Sequence, residues 1–179
     1  MLNVISIKQD DKDDWRREAG LMSAVYSNAV FNIAATAAED STQGLFFERN
    51  PNSVEKTPVL PVWPGVQHRN CIVSNRNFTR LEFARQPLLS RSWVFHERLL
   101  ARRVIHFTRT QIFWECNARM ASESFPHGID DRIKRKRMYM KSEPARWIGK
   151  WYWLGIVPRY TEYALTYNDD RLIALSGIA

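Results

Sequence analysis

Hydrophobic and polar positions repeat with a helical period between residues 14 and 30. The apolar residues that fall near the 3.6-residue repeat, and so share one stripe, are Trp15, Ala19, Met22, Val25, Tyr26 and Ala29. Aspartates at positions 11, 13 and 14 precede or open this segment, where negative charge suits the helix dipole and can cap free amides. The pattern predicts an amphipathic helix over residues 14–30, followed by a short buried strand over residues 31–35.

A second local pattern lies in the middle of the chain. β-branched and aromatic residues flank a short polar turn at residues 108–110, which is typical of a β-hairpin. We therefore predict two strands, over residues 103–107 and 111–116. Residues 93–100 are predicted to form a short helix.

The remaining segments are assigned more coarsely. Residues 1–7 are predicted to form a strand that enters the sheet, and residues 70–74 a further strand. Four prolines between residues 51 and 70 interrupt regular structure, so a loop is predicted there. An aromatic helix is predicted over residues 144–160, and a last helix near residue 168 and beyond.

Most of the net charge of +7 matches one basic run over residues 132–141, which lies within a predicted exposed, charged excursion over residues 122–141. Its basic residues are Arg132, Lys134, Arg135, Lys136, Arg137 and Lys141. Such a run can bind phosphate, so nucleic-acid binding through residues 132–141 is an open alternative. More often it is a solvated linker or helix face. Because no aromatic stacking platform accompanies it, we do not expect nucleic acid to be the partner.

The composition is that of one domain with a packed core. The 179 residues include 7 Trp, 9 Phe and 6 Tyr, which argues against disorder. The sequence holds 7 glycines and no Gly-x-Gly-x-x-Gly or Walker-type run, so a conventional dinucleotide or P-loop fold has no support. Since no apolar run reaches membrane-spanning length and no signal-peptide pattern opens the chain, we expect a cytoplasmic protein.

Two cysteines, Cys71 and Cys116, are too few for a disulfide framework, so reduced thiols are expected. The four histidines, at positions 68, 96, 106 and 127, show none of the paired spacing that structural zinc sites use. No metal is therefore expected.

The candidate for chemistry is a carboxylate beside an aromatic. Trp15 and Glu18 stand three residues apart at the start of the predicted helix, which places both side chains on one face. A bulky aromatic can shelter an acid and raise its pKa. A glutamate in the first turns of a helix is also common, because it suits the dipole. Glu97 and Glu115 are further carboxylate candidates, and Glu97, next to Arg98, is expected to make a structural ion pair.

Ordered blocks of residues run through most of the chain. The first are Gln9-Asp10-Asp11, Asp14-Trp15, Glu18, Met22, Val25-Tyr26, Asn28-Ala29, Ile33-Ala34-Ala35 and Gly44-Leu45-Phe46 with Arg49. The central motif residues are Trp93, Phe95, His96, Glu97 and Arg98, followed by Trp114, Glu115 and Cys116. A closing block covers residues 160–179. Together, in this order and spacing, the blocks resemble the fungal heterokaryon-incompatibility (HET) domain.

The chain also departs from that family. It lacks the opening Leu-Ser-Tyr-x-Trp-Gly motif, and His96 stands where the family usually has Gln. We therefore expect an N-terminally truncated copy that lacks the first strand and helix. Residues 1–121 would be the HET domain, residues 122–142 a charged loop or linker, and residues 143–179 a C-terminal helical extension of the same domain.

The resemblance implies an α/β fold. The expected core is a partial TIR-like (flavodoxin-like) three-layer arrangement, with an added β-hairpin and C-terminal helices. It implies a role in fungal non-self recognition and the triggering of programmed cell death, through assembly with protein partners or through self-association.

The TIR likeness also implies an alternative, an NAD glycohydrolase. Some TIR domains cleave NAD with one glutamate on a Trp-x-x-Glu helix, and Trp15-Arg16-Arg17-Glu18 is similar to that pattern. Glu18 would then be the catalytic carboxylate and NAD the substrate. Trp15 would line the wall of the site, and Arg16 or Arg17 would bind the pyrophosphate. A truncated copy is expected to be inactive, because a site needs its surrounding shell held firmly.

Overall fold

The computed structural model describes residues 11–55, 58–59, 71–72, 75, 77–84, 86–129, 157 and 160–161. The first element is helix α1, Lys12–Asn28. The Asp11 side chain caps this helix by accepting hydrogen bonds from the backbone amides of Asp13 and Asp14, both at 3.0 Å. The predicted helix is confirmed, and it begins two residues before the predicted start because Asp11 supplies the cap.

The strands build one larger and one smaller sheet. In chain order they are β1 (Asn32–Ala34), β2 (Pro58–Val59), β3 (Cys71–Ile72), β4 (Arg103–Phe107), β5 (Ile112–Cys116) and β6 (Met120–Ser122). The larger sheet has the spatial order β1-β4-β5-β6, with β1 parallel to β4 and the other neighbours antiparallel. Helices together with a mixed open sheet make this an α/β fold, as predicted.

The β4–β5 hairpin is confirmed and carries much of the core. Val104 pairs with Glu115, and His106 pairs with Phe113. These four side chains are all buried, because alternate residues of a strand point to one face of the sheet. One face of the hairpin therefore places a histidine and a glutamate inside the domain.

Strands β2 and β3 form the small antiparallel sheet, in which Val59 pairs with Cys71. The strand predicted over residues 70–74 is thus confirmed. The loop predicted over residues 51–70 is wrong at two points. Pro51–Ser53 forms a 3-10 turn, and Pro58–Val59 is a strand. A proline at the start of an edge strand is tolerated, since it removes no hydrogen bond that the ladder needs.

Two further helices pack around the larger sheet. Helix α2 is Phe78–Ala84, and helix α3 is Ser92–Leu100, which confirms the helix predicted over residues 93–100. Phe83 of α2 packs edge to face on Phe113 of the sheet, with the ring centroids 5.0 Å apart. Helix α3 packs against α1, and Leu99 is buried.

Three expectations about burial are wrong. Val25 lies on the predicted apolar stripe of α1 but is 54% exposed. Phe31 and Ile33, expected in a buried strand, are 46% and 57% exposed. Strand β1 pairs with β4 on one side, and no described strand pairs with its other edge. Ser122 was expected to open an exposed excursion, yet it is buried at the end of β6.

Other predictions lie outside the described residues. These are the strand over residues 1–7, the basic run over residues 132–141 and nearly all of the helices expected beyond residue 144. Residues 157, 160 and 161 are helical, and the buried Tyr160 ring lies 6.2 Å from the ring of Phe95 on α3. In the described part of the chain, no helix is both long and apolar enough to cross a membrane.

The cap of α1 gives a direct test of the fold. Replacing Asp11 by Ala should lower the free energy of unfolding by about 1 kcal/mol, because the amides of Asp13 and Asp14 lose their acceptor. Chemical denaturation measures this change. Asp11→Asn is the matched control, since Asn caps as well as Asp does. A loss that is equal in both variants would contradict the capping role.

Candidate functional site

The structure places Glu18 in a surface ion pair. Arg17 Nε lies 3.3 Å from Glu18 Oε1, and the same arginine also pairs with Asp14. The Glu18 side chain is 29% exposed. The backbone of the Trp15–Glu18 segment is helical, as predicted. The side chains of Trp15 and Arg16 lie outside the described part, so the predicted roles of this segment stay predictions.

The central motif residues lie on two elements that meet. Trp93, Phe95, Glu97 and Arg98 are on α3, together with His96, whose side chain is outside the described part. Trp114, Glu115 and Cys116 are on β5. The contact between the two elements is bidentate, since Arg98 Nε lies 2.7 Å from Glu115 Oε2 and Arg98 Nη2 lies 3.1 Å from Glu115 Oε1. Such paired geometry is the strongest form of an arginine–carboxylate contact.

The Arg98–Glu115 pair continues into a buried polar chain. His106 Nε2 lies 3.0 Å from Glu115 Oε2, and His106 Nδ1 lies 3.1 Å from Thr36 Oγ1. Thr36 Oγ1 is in turn 3.2 Å from the carbonyl oxygen of Ala34. Thr36, His106 and Glu115 are all buried. We call Thr36, His106, Glu115 and Arg98 the buried network.

Aromatic rings surround the buried network. The ring of Phe83 meets His106 edge to face at 5.0 Å, and the guanidinium carbon of Arg98 lies 4.8 Å from the Phe83 centroid. The Phe83 ring also packs edge to face on Phe113, which pairs with His106 across the hairpin. Apolar rings exclude water, so the charges in this network interact more strongly than surface charges do.

Sequence reasoning missed Thr36 and His106. A signal for His106 was present, because it stands two residues from Val104 in a predicted strand and so shares its face. Thr36 follows a strand and carries no local signal of its own. Its partner lies 70 positions away along the chain.

Glu97 lies at a second polar contact, which links α3 to α1. Its expected ion pair stays a prediction, while Arg98 of the same helix pairs with Glu115. Glu97 is hydrogen-bonded to the side chain of Tyr26 on α1. Burial raises the pKa of Glu97, while the Tyr26 hydrogen bond and the charge of Arg91 act in the opposite direction. Burial and the adjacent Glu97 raise the pKa of Tyr26 as well.

A small cavity lies next to the hairpin turn. Gly44 adopts a left-handed conformation with φ of 69°, which favours glycine, and the chain then enters the lining of the cavity. The lining residues are Leu45, Phe46, Phe47, Arg49, Phe107, Thr108 and Ile112. Its volume of about 50 Å³ suits a group the size of a few methyls rather than a dinucleotide. Within the described residues, no three His, Cys, Asp or Glu side chains cluster as metal ligands.

The Glu115 carboxylate should be essential to stability. Glu115→Gln removes the charge that holds Arg98 and His106, and we expect the free energy of unfolding to fall by about 3–5 kcal/mol, as when one partner of a buried pair is lost. The matched control is Glu39→Gln. Glu39 pairs with Arg109 at 3.5 Å and is 63% exposed, so its loss should cost less than about 1 kcal/mol. Equal losses in denaturant titrations would contradict the role of the network.

The Glu97–Tyr26 contact predicts a pH dependence. A carboxyl whose pKa is raised in the folded state binds more protons there than when unfolded, so stability falls as pH rises from about 4.5, the ordinary value, through the folded-state value. Glu97→Gln should flatten this part of the stability profile. The variant should also be more stable at neutral pH, because the amide has no charge to desolvate. Thermal unfolding at pH values from acid to neutral measures the difference, and parallel profiles would refute it.

Comparison with known proteins supports the resemblance. A family model described as Heterokaryon incompatibility protein (HET) matches residues 2–97, which is more than half of the chain. The match includes α1, β1 and most of α3, while His106 and Glu115 lie beyond it. No curated protein and no solved structure matches the chain. The chain belongs to the heterokaryon incompatibility protein (HET) family.

Proposed function

We propose that this protein acts in fungal non-self recognition and triggers programmed cell death through protein assembly. Membership of the heterokaryon incompatibility family carries the proposal, because that role is the one expected of the family. Assembly would occur in the cytoplasm, with other proteins or with further copies of the chain.

Exposed apolar side chains support a role in assembly. Val30 is 73% exposed, and Phe31 and Ile33 of the β1 region are 46% and 57% exposed. Leu21 and Val25 of α1 are about half exposed as well. Soluble proteins usually blunt the edges of their sheets with charges or prolines. Here the segment over residues 30–34 carries neither, and contiguous exposed apolar residues are typical of protein contacts.

The hydrolase hypothesis gives Glu18 a different role. It requires the Glu18 carboxylate to meet a bound dinucleotide, whereas the described contact of Glu18 is an ion pair with Arg17 at 3.3 Å. Death through assembly does not require Glu18. The two hypotheses can therefore be separated by one substitution, Glu18→Gln.

Expression of the full chain in a filamentous fungus tests the proposal. We expect inducible expression of the unaltered chain to reduce the number of viable cells. The double variant Phe31→Thr with Ile33→Thr keeps strand propensity but loses apolar contact area. Burial of one such side chain contributes about 1.5–3 kcal/mol to the free energy of association. The double variant should therefore increase the number of viable cells by roughly tenfold or more. Size-exclusion chromatography should show a matching loss of association.

Leu81→Gln is the matched control, because Leu81 is 50% exposed but lies on α2. It should leave cell death unchanged. Circular dichroism must show that each variant is folded. A folded double variant that kills as efficiently as the unaltered chain would contradict assembly through this region. Loss of NAD consumption and of cell death together in Glu18→Gln would favour the hydrolase.

A further inference from the structure

His106 is the most enclosed titratable side chain in the buried network. Its side chain is 1% exposed, and each ring nitrogen meets a polar oxygen. Nε2 faces the carboxylate of Glu115 at 3.0 Å, and Nδ1 faces the hydroxyl of Thr36 at 3.1 Å. The protonation state of the ring can therefore be read from what these partners donate and accept.

The carboxylate side of the ring needs a proton on Nε2. Glu115 already accepts two hydrogen bonds from Arg98, which keeps it ionised. An ionised carboxylate only accepts hydrogen bonds. His106 must therefore donate from Nε2.

The hydroxyl side of the ring decides the second proton. Thr36 Oγ1 lies within hydrogen-bond distance of two groups, His106 Nδ1 at 3.1 Å and the Ala34 carbonyl at 3.2 Å. A carbonyl oxygen accepts only, and a hydroxyl has one proton to give. Both contacts are hydrogen bonds at the same time only if Thr36 donates to Ala34 and accepts from a protonated Nδ1.

The surrounding charges act in both directions. The described groups that meet His106 are Glu115 from β5 and the Thr36 hydroxyl from the segment after β1, together with the uncharged ring of Phe83 from α2. Glu115 favours a charged imidazole, while burial and the positive charge of Arg98 on α3 oppose it. The hydrogen bonds favour the charged form, because only that form lets Thr36 bond to His106 and to Ala34 at the same time.

We propose that His106 is held as a buried imidazolium, and that its second proton is a pH-sensitive latch which directs the Thr36 hydroxyl to the carbonyl of Ala34 at the end of β1. With both ring protons in place, Arg98 and His106 donate to Glu115. His106 also donates to Thr36, which in turn donates to Ala34. Without the second proton, Thr36 must donate to His106 instead, and its hydrogen bond to Ala34 is lost. The latch thus links the hydrogen bond between Thr36 and β1 to the pH of the surroundings.

The direction of the effect follows from linkage. A histidine that holds its proton more tightly when folded contributes stability that is fully present below about pH 6.5, the ordinary value for an unfolded histidine. This contribution is lost as pH rises through the folded-state value. A fall in cytoplasmic pH would therefore tighten the latch, and a rise would loosen it.

Nitrogen NMR of the unaltered full chain tests the proposal directly. Through-bond correlations that link the ring to the assigned backbone identify the signals of His106 without any variant. We expect both Nδ1 and Nε2 to carry protons at about pH 7.5, where an exposed histidine is mostly neutral. An unprotonated Nδ1 at that pH would overturn the proposal.

Thr36→Val and Thr36→Ser provide an independent check. Serine keeps the hydroxyl, so the titration of His106 should be unchanged. Valine removes the acceptor of the Nδ1 proton, so the ring should lose that proton at lower pH than in the unaltered chain. If Nδ1 instead accepts from Thr36, the valine variant should hold its proton equally well or to higher pH, and that result would overturn the latch.

Discussion

The Glu115 carboxylate is the charge around which the described structure is organised. It is buried on β5, and it is tolerable there because Arg98 and His106 both donate to it. A buried charge that loses its partners costs several kcal/mol, so α3 must lie where Arg98 can reach β5. Helix α1 then follows, because Tyr26 meets Glu97 on the same α3. The orientation of two helices on the sheet thus depends on one paired carboxylate.

Local patterns were enough to predict α1, α3 and the hairpin, since each depends on periodicity within some twenty residues. They could not predict that Val25 and Ile33 are exposed. Periodicity tells which residues share a face but not whether another element covers that face. The buried network was missed for a related reason. Thr36 and His106 are 70 positions apart. Arg98 and Glu115 belong to family motifs, but those motifs predict no contact between the two residues.

The glutamates of this chain show how position decides chemistry. Glu18 lies on α1 in an ion pair with Arg17, and 29% of its side chain is exposed. Glu115 and Glu97 are enclosed, one by two cationic partners and the other by a phenol. Glu18 is a candidate from the sequence because an aromatic residue stands near it. Enclosure depends on the tertiary packing of α3, which no single segment reveals.

The parallel pairing of β1 with β4 has a consequence for biosynthesis. Asn32 pairs with Val104, so the ribosome must add more than seventy residues before β1 meets its described partner. Hairpin and α3 contacts span far shorter stretches, and such local contacts form faster. The segment with Val30, Phe31 and Ile33 therefore has no described partner strand while those residues are being added. Because unpaired strand edges are prone to aggregation, this interval of synthesis is when β1 is most open to wrong pairing.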